Sequence, residues 1–175
     1  MAITLIDLSQ HLERRNWRYK IVAEQQAILT GLAGKNIPQI SIALQLSEDG
    51  ECLQFQALNL LSIKDSVFKG VAFQTLLSLN YQIKLLNFEY DPIDGEVRGV
   101  IEFPLEDGGL SDQQFDRCLD CLVLMVDRVA MPRLKEVLAT GNDPGMKGMG
   151  QLLAEGLSPE AIAILRELFA AIQLQ

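Results

Sequence analysis

Residues 37–60 read IPQISIALQLSEDGECLQFQALNL, and this stretch decides the fold because two independent signals in it agree. Asp49-Gly50 suits a two-residue turn with positive φ, and such a turn fixes the register of the strands on either side of it. In that register every apolar residue meets an apolar residue, while Gln45 faces Gln54. The apolar pairs are Leu46 with Leu53, Leu44 with Phe55, and Ile42 with Ala57. The turn and the alternation therefore predict one β-hairpin.

A second hairpin is predicted in IKLLNFEYDPIDGEVRGVIEF, residues 83–103. Pro92 to Gly95 can form its loop, because glycine supplies left-handed backbone geometry at low cost. The resulting register places Glu89 beside Arg98, and opposite charges that face each other stabilise antiparallel strands. The apolar pairs expected on the other face are Tyr90 with Val97, Phe88 with Gly99, and Leu86 with Ile101.

Two helices and further strands are predicted before the second hairpin. Thr4, with Asp7 three residues later, predicts the start of a first helix. Residues 17–32 are rich in strand-forming side chains and predict one or two strands. Ser62 is expected to cap a second helix over residues 64–80.

The third helix is the longest. Residues 111–114 form a capping box of the Ser-x-x-Gln type, and an apolar stripe at helical spacing runs on to about Thr140. Pro132 lies inside this helix and lacks a backbone N–H, so we expect it to kink or split the helix near Ala130.

Strand runs that alternate with single helices and are joined by hairpins are typical of an α+β fold. We expect a twisted antiparallel sheet of about five strands with helices packed on it. Residues 1–140 form this domain, residues 141–150 a linker, and residues 151–175 a helical tail. Within the tail, Ser158-Pro159 marks a helix start, because proline is favoured at the first helical position.

The negative net charge of the chain limits the classes of partner that it can bind. The net charge is −8 and the pI is about 4.6, so nucleic acids and anionic membrane surfaces are not expected partners. No apolar run is long enough to span a bilayer, and the start of the chain lacks the pattern of a secretory signal. Three cysteines in a chain of this length do not form a disulfide framework, so a reducing, cytoplasmic location is expected. Residues 89–127 hold eleven acidic residues and two arginines. Such an acidic surface either steers a basic partner or keeps the protein soluble.

Cys118 and Cys121 form a Cys-x-x-Cys motif, which is found in redox and metal sites. The pair lies about two turns inside the third helix, and only Cys52 and His11 remain as further metal ligands of that kind. We therefore expect both cysteines to pack in the core, with no metal or cofactor. His11 is expected to be a solvated surface residue.

The stretch from Phe88 to Leu138 carries a family resemblance. Residues 104–107 form a Pro-Leu-acidic turn, residues 110–115 read LSDQQF, and Asp127 precedes a Pro-Arg-Leu at 132–134. In this order the motifs resemble the YbjN-like family, which has the type III secretion chaperone-like fold, and in particular a branch found in cyanobacteria and plastids. The resemblance implies small acidic cytoplasmic proteins, often homodimers, that bind protein partners and catalyse nothing.

The sequence therefore predicts a non-enzymatic protein-binding module, either a chaperone or an assembly or regulatory factor. The alternative is a redox-responsive regulatory protein that uses Cys118 and Cys121. The tail carries one apolar stripe, which must dock on its own domain, on a twin subunit or on a partner, and which we take as the candidate partner-binding surface. The stripe consists of Ile162, Leu165, Phe169 and Ile172.

Overall fold

A computed structural model describes residues 3–105, 109–145, 158–160 and 162–164. They form an α+β domain around one six-stranded antiparallel sheet, one strand more than expected. The sheet order is β1-β2-β3-β4-β6-β5. The strands are β1 (Tyr19–Val22), β2 (Ala27–Leu32), β3 (Ile40–Ser47), β4 (Cys52–Ser62), β5 (Asn87–Tyr90) and β6 (Glu96–Pro104). The helices are α1 (Leu5–Arg14), α2 (Lys69–Gln82), α3 (Asp112–Leu124) and α4 (Met131–Thr140), with a π-helical segment at Met125–Ala130 between the last two.

The register of the first hairpin is confirmed. Leu46 pairs with Leu53, and the two other apolar pairs and Gln45 with Gln54 also stand opposite each other. Asp49 and Gly50 both have positive φ, as the turn requires. In the second hairpin, Glu89 pairs with Arg98 and their side chains form an ion pair of 2.8 Å. Its ladder begins at Asn87, so the expected pairing of Leu86 with Ile101 lies outside it.

The helices bury one face of the sheet. Phe55 on β4 and Phe115 on α3 are fully buried and lie 5.5 Å apart between ring centroids, at the centre of the core. Leu8 and Leu12 of α1 are buried in the same core. On the opposite face of β4, Gln56 donates a hydrogen bond of 2.7 Å to Gln54, which donates one of 2.8 Å to Glu102. The sheet thus has one apolar and one polar face, as the alternation predicts.

The predicted start of α2 is wrong. Ser62 is the last residue of β4, and α2 begins seven residues later at Lys69. The Ser62 hydroxyl donates to the Asp94 carbonyl at 3.1 Å, and the Ile63 N–H donates to the Gly95 carbonyl at 2.9 Å. These bonds hold the chain against the β5–β6 loop, so tertiary contacts outweigh the local capping preference of serine.

The long third helix is interrupted where the sequence predicts. α4 begins at Met131, directly after Ala130, and Pro132 occupies its first turn. The preceding segment, Met125–Ala130, is π-helical. Pro132 cannot donate a backbone hydrogen bond and its ring crowds the preceding turn, so a wider turn before it relieves both problems.

The π-helical segment carries a buried carboxylate. Asp127 is 3% exposed and accepts backbone hydrogen bonds from Lys35 at 2.9 Å, Asn36 at 2.8 Å and Ile37 at 3.1 Å. A Cβ on Gly34 would overlap this carboxylate, so the close approach of the β2–β3 loop needs glycine there. Asp127 therefore fixes the loop between β2 and β3 on the helical layer.

A partly buried ion pair anchors the chain just after α4 to the helical layer. Arg133 is 6% exposed, and its guanidinium donates to Asp143 at 2.6 Å and 2.7 Å. It also donates to Ser78 and Gln82 of α2, at 3.1 Å and 3.2 Å. The boundary between domain and linker at residue 140 stays a prediction, and Asp143 lies just beyond it.

Asp143→Asn is expected to lower the free energy of unfolding by about 1–3 kcal/mol, because it leaves the buried Arg133 charge without its partner. Hydrogen bonds from Arg133, opposed by burial, lower the pKa of Asp143 from 3.8 to about 2. The stabilisation is therefore complete above the ordinary pKa and is lost as the pH falls through about 2. Urea unfolding of both proteins across this range measures it. Asp65→Asn, an exposed carboxylate elsewhere, is the control, and equal losses in the two variants would contradict the prediction.

Asp127→Asn keeps the side-chain size but replaces a charged acceptor with an amide. We expect a loss of roughly 1.5–3 kcal/mol in unfolding free energy, since hydrogen bonds to charged groups are worth this much. Hydrogen exchange should accelerate at the amides of residues 35–37. Asp94→Asn is a matched control, because exposed Asp94 also accepts a backbone N–H, from Glu96 at 2.9 Å. Unchanged exchange at residues 35–37 would refute the role given to Asp127.

Candidate partner-binding site

A cleft of about 290 Å³ lies where the described part of the tail meets the domain. The domain side is mainly apolar and consists of Trp17 after α1, Leu32 at the end of β2, and Val123 and Leu124 at the end of α3, all half-buried. Arg15 and Asp120 also line it, and the tail contributes Ser158, Glu160 and Ile164. We call this site the tail cleft. It combines an apolar wall with a charged pair, the usual composition of a peptide-binding groove.

An ion-pair network between α1 and α3 builds one side of the tail cleft. Arg14 donates two hydrogen bonds to Asp116, at 3.0 Å and 2.9 Å. Arg15 donates to Asp116 at 2.8 Å and also pairs with Asp120. Burial works against ionisation of Asp116, but the hydrogen bonds from Arg15 and Arg14 outweigh it and hold the pKa of this carboxyl below its ordinary value. The network locks the end of α1 onto α3.

Arg15 joins this network to the apolar wall. Its guanidinium lies over the Trp17 ring, 5.5 Å from the ring centroid, in cation–π geometry. The same guanidinium is held by Asp116 and Asp120, so the Trp17 ring has a fixed support on one face. The cleft is therefore preorganised, which lowers the entropic cost of binding.

The expectation for His11 is wrong. Its side chain is 11% exposed, stacks on Phe115 at 4.7 Å between centroids, and hydrogen-bonds Asp112 at 2.7 Å. The sequence does hold a signal for this contact. Asp112, Asp116 and Asp120 recur every four residues on α3, and the basic side chains facing them are His11 and Arg14 on α1 and Arg15 directly after it. Residues four apart share a helix face, so the two patterns are complementary stripes.

Both cysteines of the Cys-x-x-Cys motif lie in the core. Cys118 is 2% exposed and Cys121 fully buried, and burial raises the pKa of the first to about 11 and of the second to about 12. A reactive thiol needs the opposite shift. All three cysteines are free. Within the described ranges, no group of three or more His, Cys, Asp and Glu side chains is arranged to hold a metal ion.

Only one residue of the predicted apolar stripe can be placed. Ile162 is half-buried, and its N–H bonds to the Ser158 carbonyl at 2.9 Å, which agrees with the predicted helix start. The other three residues, Leu165, Phe169 and Ile172, lie outside the described residues. Of the tail residues that line the cleft, Ile164 is the apolar one, and the stripe omits it because it lies about 200° around the helix from Ile162.

Among the described residues, no helix combines the length and the apolar character needed to cross a lipid bilayer.

Comparison with known proteins agrees with the resemblance seen in the sequence. The crystal structure of YbjN from E. coli is 13% identical, covers 79% of this chain and 96% of its own, and superposes with a TM-score of 0.58, which shows a shared fold. The HopA1–SchA chaperone–effector complex is 15% identical over 68% of this chain and 86% of its own, with a TM-score of 0.48. No curated protein matches the sequence significantly. Residues 5–131 match the YbjN family, described as "Putative bacterial sensory transduction regulator", and since they make up most of the chain, this protein belongs to the YbjN family.

Proposed function

We propose that this protein is a non-enzymatic protein-binding module that acts as a chaperone or as an assembly or regulatory factor. The observation that carries the proposal is the tail cleft, whose apolar wall of Trp17, Leu32, Val123 and Leu124 lies beside the Arg15 ion pairs that support the Trp17 ring. The family description as a regulator of sensory transduction supports it. Cytoplasmic location and a homodimeric state, which the sequence resemblance implies, are parts of the proposal.

The acidic segment, residues 89–127, is poorly suited to attract a basic partner, so we expect a partner to be recognised through apolar contacts. Five of the eleven carboxylates in residues 89–127 form ion pairs within the protein, which reduces the charge that this segment can offer to a basic partner. Asp112, Asp116 and Asp120 pair with α1, Glu89 pairs with Arg98, and Asp127 is buried beside Arg128. The partner that fits is therefore a protein segment with apolar side chains, such as an amphipathic helix.

The second candidate, redox regulation through Cys118 and Cys121, has weaker support. A sensor thiol must be exposed and ionise readily, whereas both of these are buried with raised pKa values. Their place on the core side of α3, next to fully buried Leu119 and Leu122, favours a packing role.

Site-specific photocrosslinking in the source cell tests the proposed function. A photoreactive phenylalanine that replaces Trp17, inside the tail cleft, should give a discrete crosslinked product with another protein. The same residue in place of Tyr81, which is 70% exposed on α2, is the matched aromatic control and should give none. A product from Tyr81 alone would keep protein binding but reject the cleft. Folded protein that gives no product at either position would reject the proposal.

Thiol labelling distinguishes the two candidate functions. In the native protein, half-buried Cys52 should react with iodoacetamide well before Cys118 and Cys121, which react only when the protein opens. Replacing both buried cysteines with alanine should lower the free energy of unfolding by about 1–3 kcal/mol through lost packing, and should leave the crosslink from position 17 unchanged. Fast labelling of Cys118 or Cys121, or stoichiometric zinc in the purified protein, would contradict the packing role.

A further inference from the structure

We infer that the start of the chain's own tail, which carries Ser158, Glu160 and Ile164, covers the apolar wall of the tail cleft in cis and competes there with the protein partner, an inference that rests on the proposed function. The start of this segment is already in place. Ser158, Glu160 and Ile164 line the cleft together with the residues of the domain. Ile162 and Ile164 are both half-buried, so the domain covers the segment only partly.

The sequence explains why the cover is partial. On a helical wheel of the tail sequence, the large apolar side chains spread over an arc of roughly 160°, wider than the stripe of about 100° that a helix on a protein surface needs. These side chains are Ile162, Ile164, Leu165, Leu168, Phe169 and Ile172. A shallow cleft can cover one side of such a helix, the side of Ile164. The tail is therefore a loosely docked occupant that a better-fitting partner helix can replace.

The tether favours docking on the same chain over docking on a twin. Asp143 is bound to buried Arg133 and also accepts the Gly145 N–H at 2.9 Å, so the segment before the tail is anchored to the domain. The chain from Gly145 to Ser158 can span up to roughly 45 Å when fully extended. A tether this short holds the tail at an effective concentration in the millimolar range, so docking on the same chain needs no second copy.

When the tail covers the cleft of its own chain, partner binding becomes weaker. A partner can enter only the fraction of molecules whose cleft is open, and its apparent dissociation constant rises by the inverse of that fraction. The tail thus sets a threshold for partner affinity, and it shields the apolar wall when no partner is present.

Trp17 offers a direct probe, because it is the only tryptophan in the chain and it lines the cleft. Ile164→Asp should release the tail, shift the Trp17 emission to longer wavelength and raise its quenching by acrylamide. Ile164→Ala should do the same to a smaller degree. Ala163→Asp is the matched control, because Ala163 is exposed in the same helical turn, and it should leave the emission unchanged. Identical spectra for the two aspartate variants would overturn the inference.

A binding experiment with a synthetic tail peptide distinguishes between the chain's own tail and the tail of a second copy as the segment beside the cleft. A synthetic peptide of residues 156–175 should bind full-length Ile164→Asp and restore the wild-type Trp17 emission. Wild-type protein should need at least about tenfold more peptide, because its own tail competes. Equal affinities would overturn the inference. So would a wild-type emission that shifts to longer wavelength on dilution, because the occupant would then be the tail of a second copy.

The Trp17 fluorescence experiments and the crosslinking test of the proposed function can fail separately. If Ile164→Asp leaves Trp17 unchanged while the crosslink at position 17 still forms, the cleft binds a partner and the tail has no part in it. If Ile164→Asp changes Trp17 but no crosslink forms, the tail docks in a cleft that serves no partner, and the competition we infer fails.

Discussion

The buried carboxylate of Asp127 is the contact on which the arrangement of the two layers depends. It accepts three consecutive backbone N–H groups from the β2–β3 loop, and no other described side chain bonds to so many of that loop's amides. Lys135 on α4 donates to the Asn36 carbonyl at 2.6 Å and strengthens the same junction. Leu32 lies at the end of β2, directly before this loop, and Leu124 lies directly before the π-helical segment. The apolar wall of the tail cleft therefore forms where the loop and the helix are fixed together.

Pro132 and Asp127 are structurally linked, because the helix interruption that accompanies the proline also positions the carboxylate. A proline inside a long helix removes a backbone hydrogen bond, and the π-helical segment before it absorbs the disturbance. The wider turn also carries Asp127 and Arg128 at its middle, where the Asp127 carboxylate reaches across to the loop and the Arg128 guanidinium pairs with it at 3.0 Å. A regular α-helix over these residues would place Asp127 differently relative to the sheet. The π-helical interruption is thus part of how the β2–β3 loop is attached to the helical layer.

Sequence reasoning succeeds where local signals are redundant. The register of the first hairpin followed from a turn and an alternation that agreed, and one of them alone would have been weaker evidence. It failed at Ser62, because a serine that caps a helix and a serine that ends a strand look alike until the β5–β6 loop is known to lie beside it. It also failed at His11 and Ile164, whose partners are distant in sequence. Complementary stripes on α1 and α3 could have placed His11, whereas nothing in the tail itself distinguishes Ile164 from Ile162.

The tail cleft faces a conflict between binding and solubility. A groove that recognises an amphipathic helix must present apolar side chains, and the same side chains promote association when nothing covers them. Trp17, Leu32, Val123 and Leu124 all keep partial exposure even with part of the tail beside them. A permanent cover would abolish binding, and no cover would favour aggregation. The docking in cis that we infer avoids both, because a tethered segment stays near the cleft and can still be displaced.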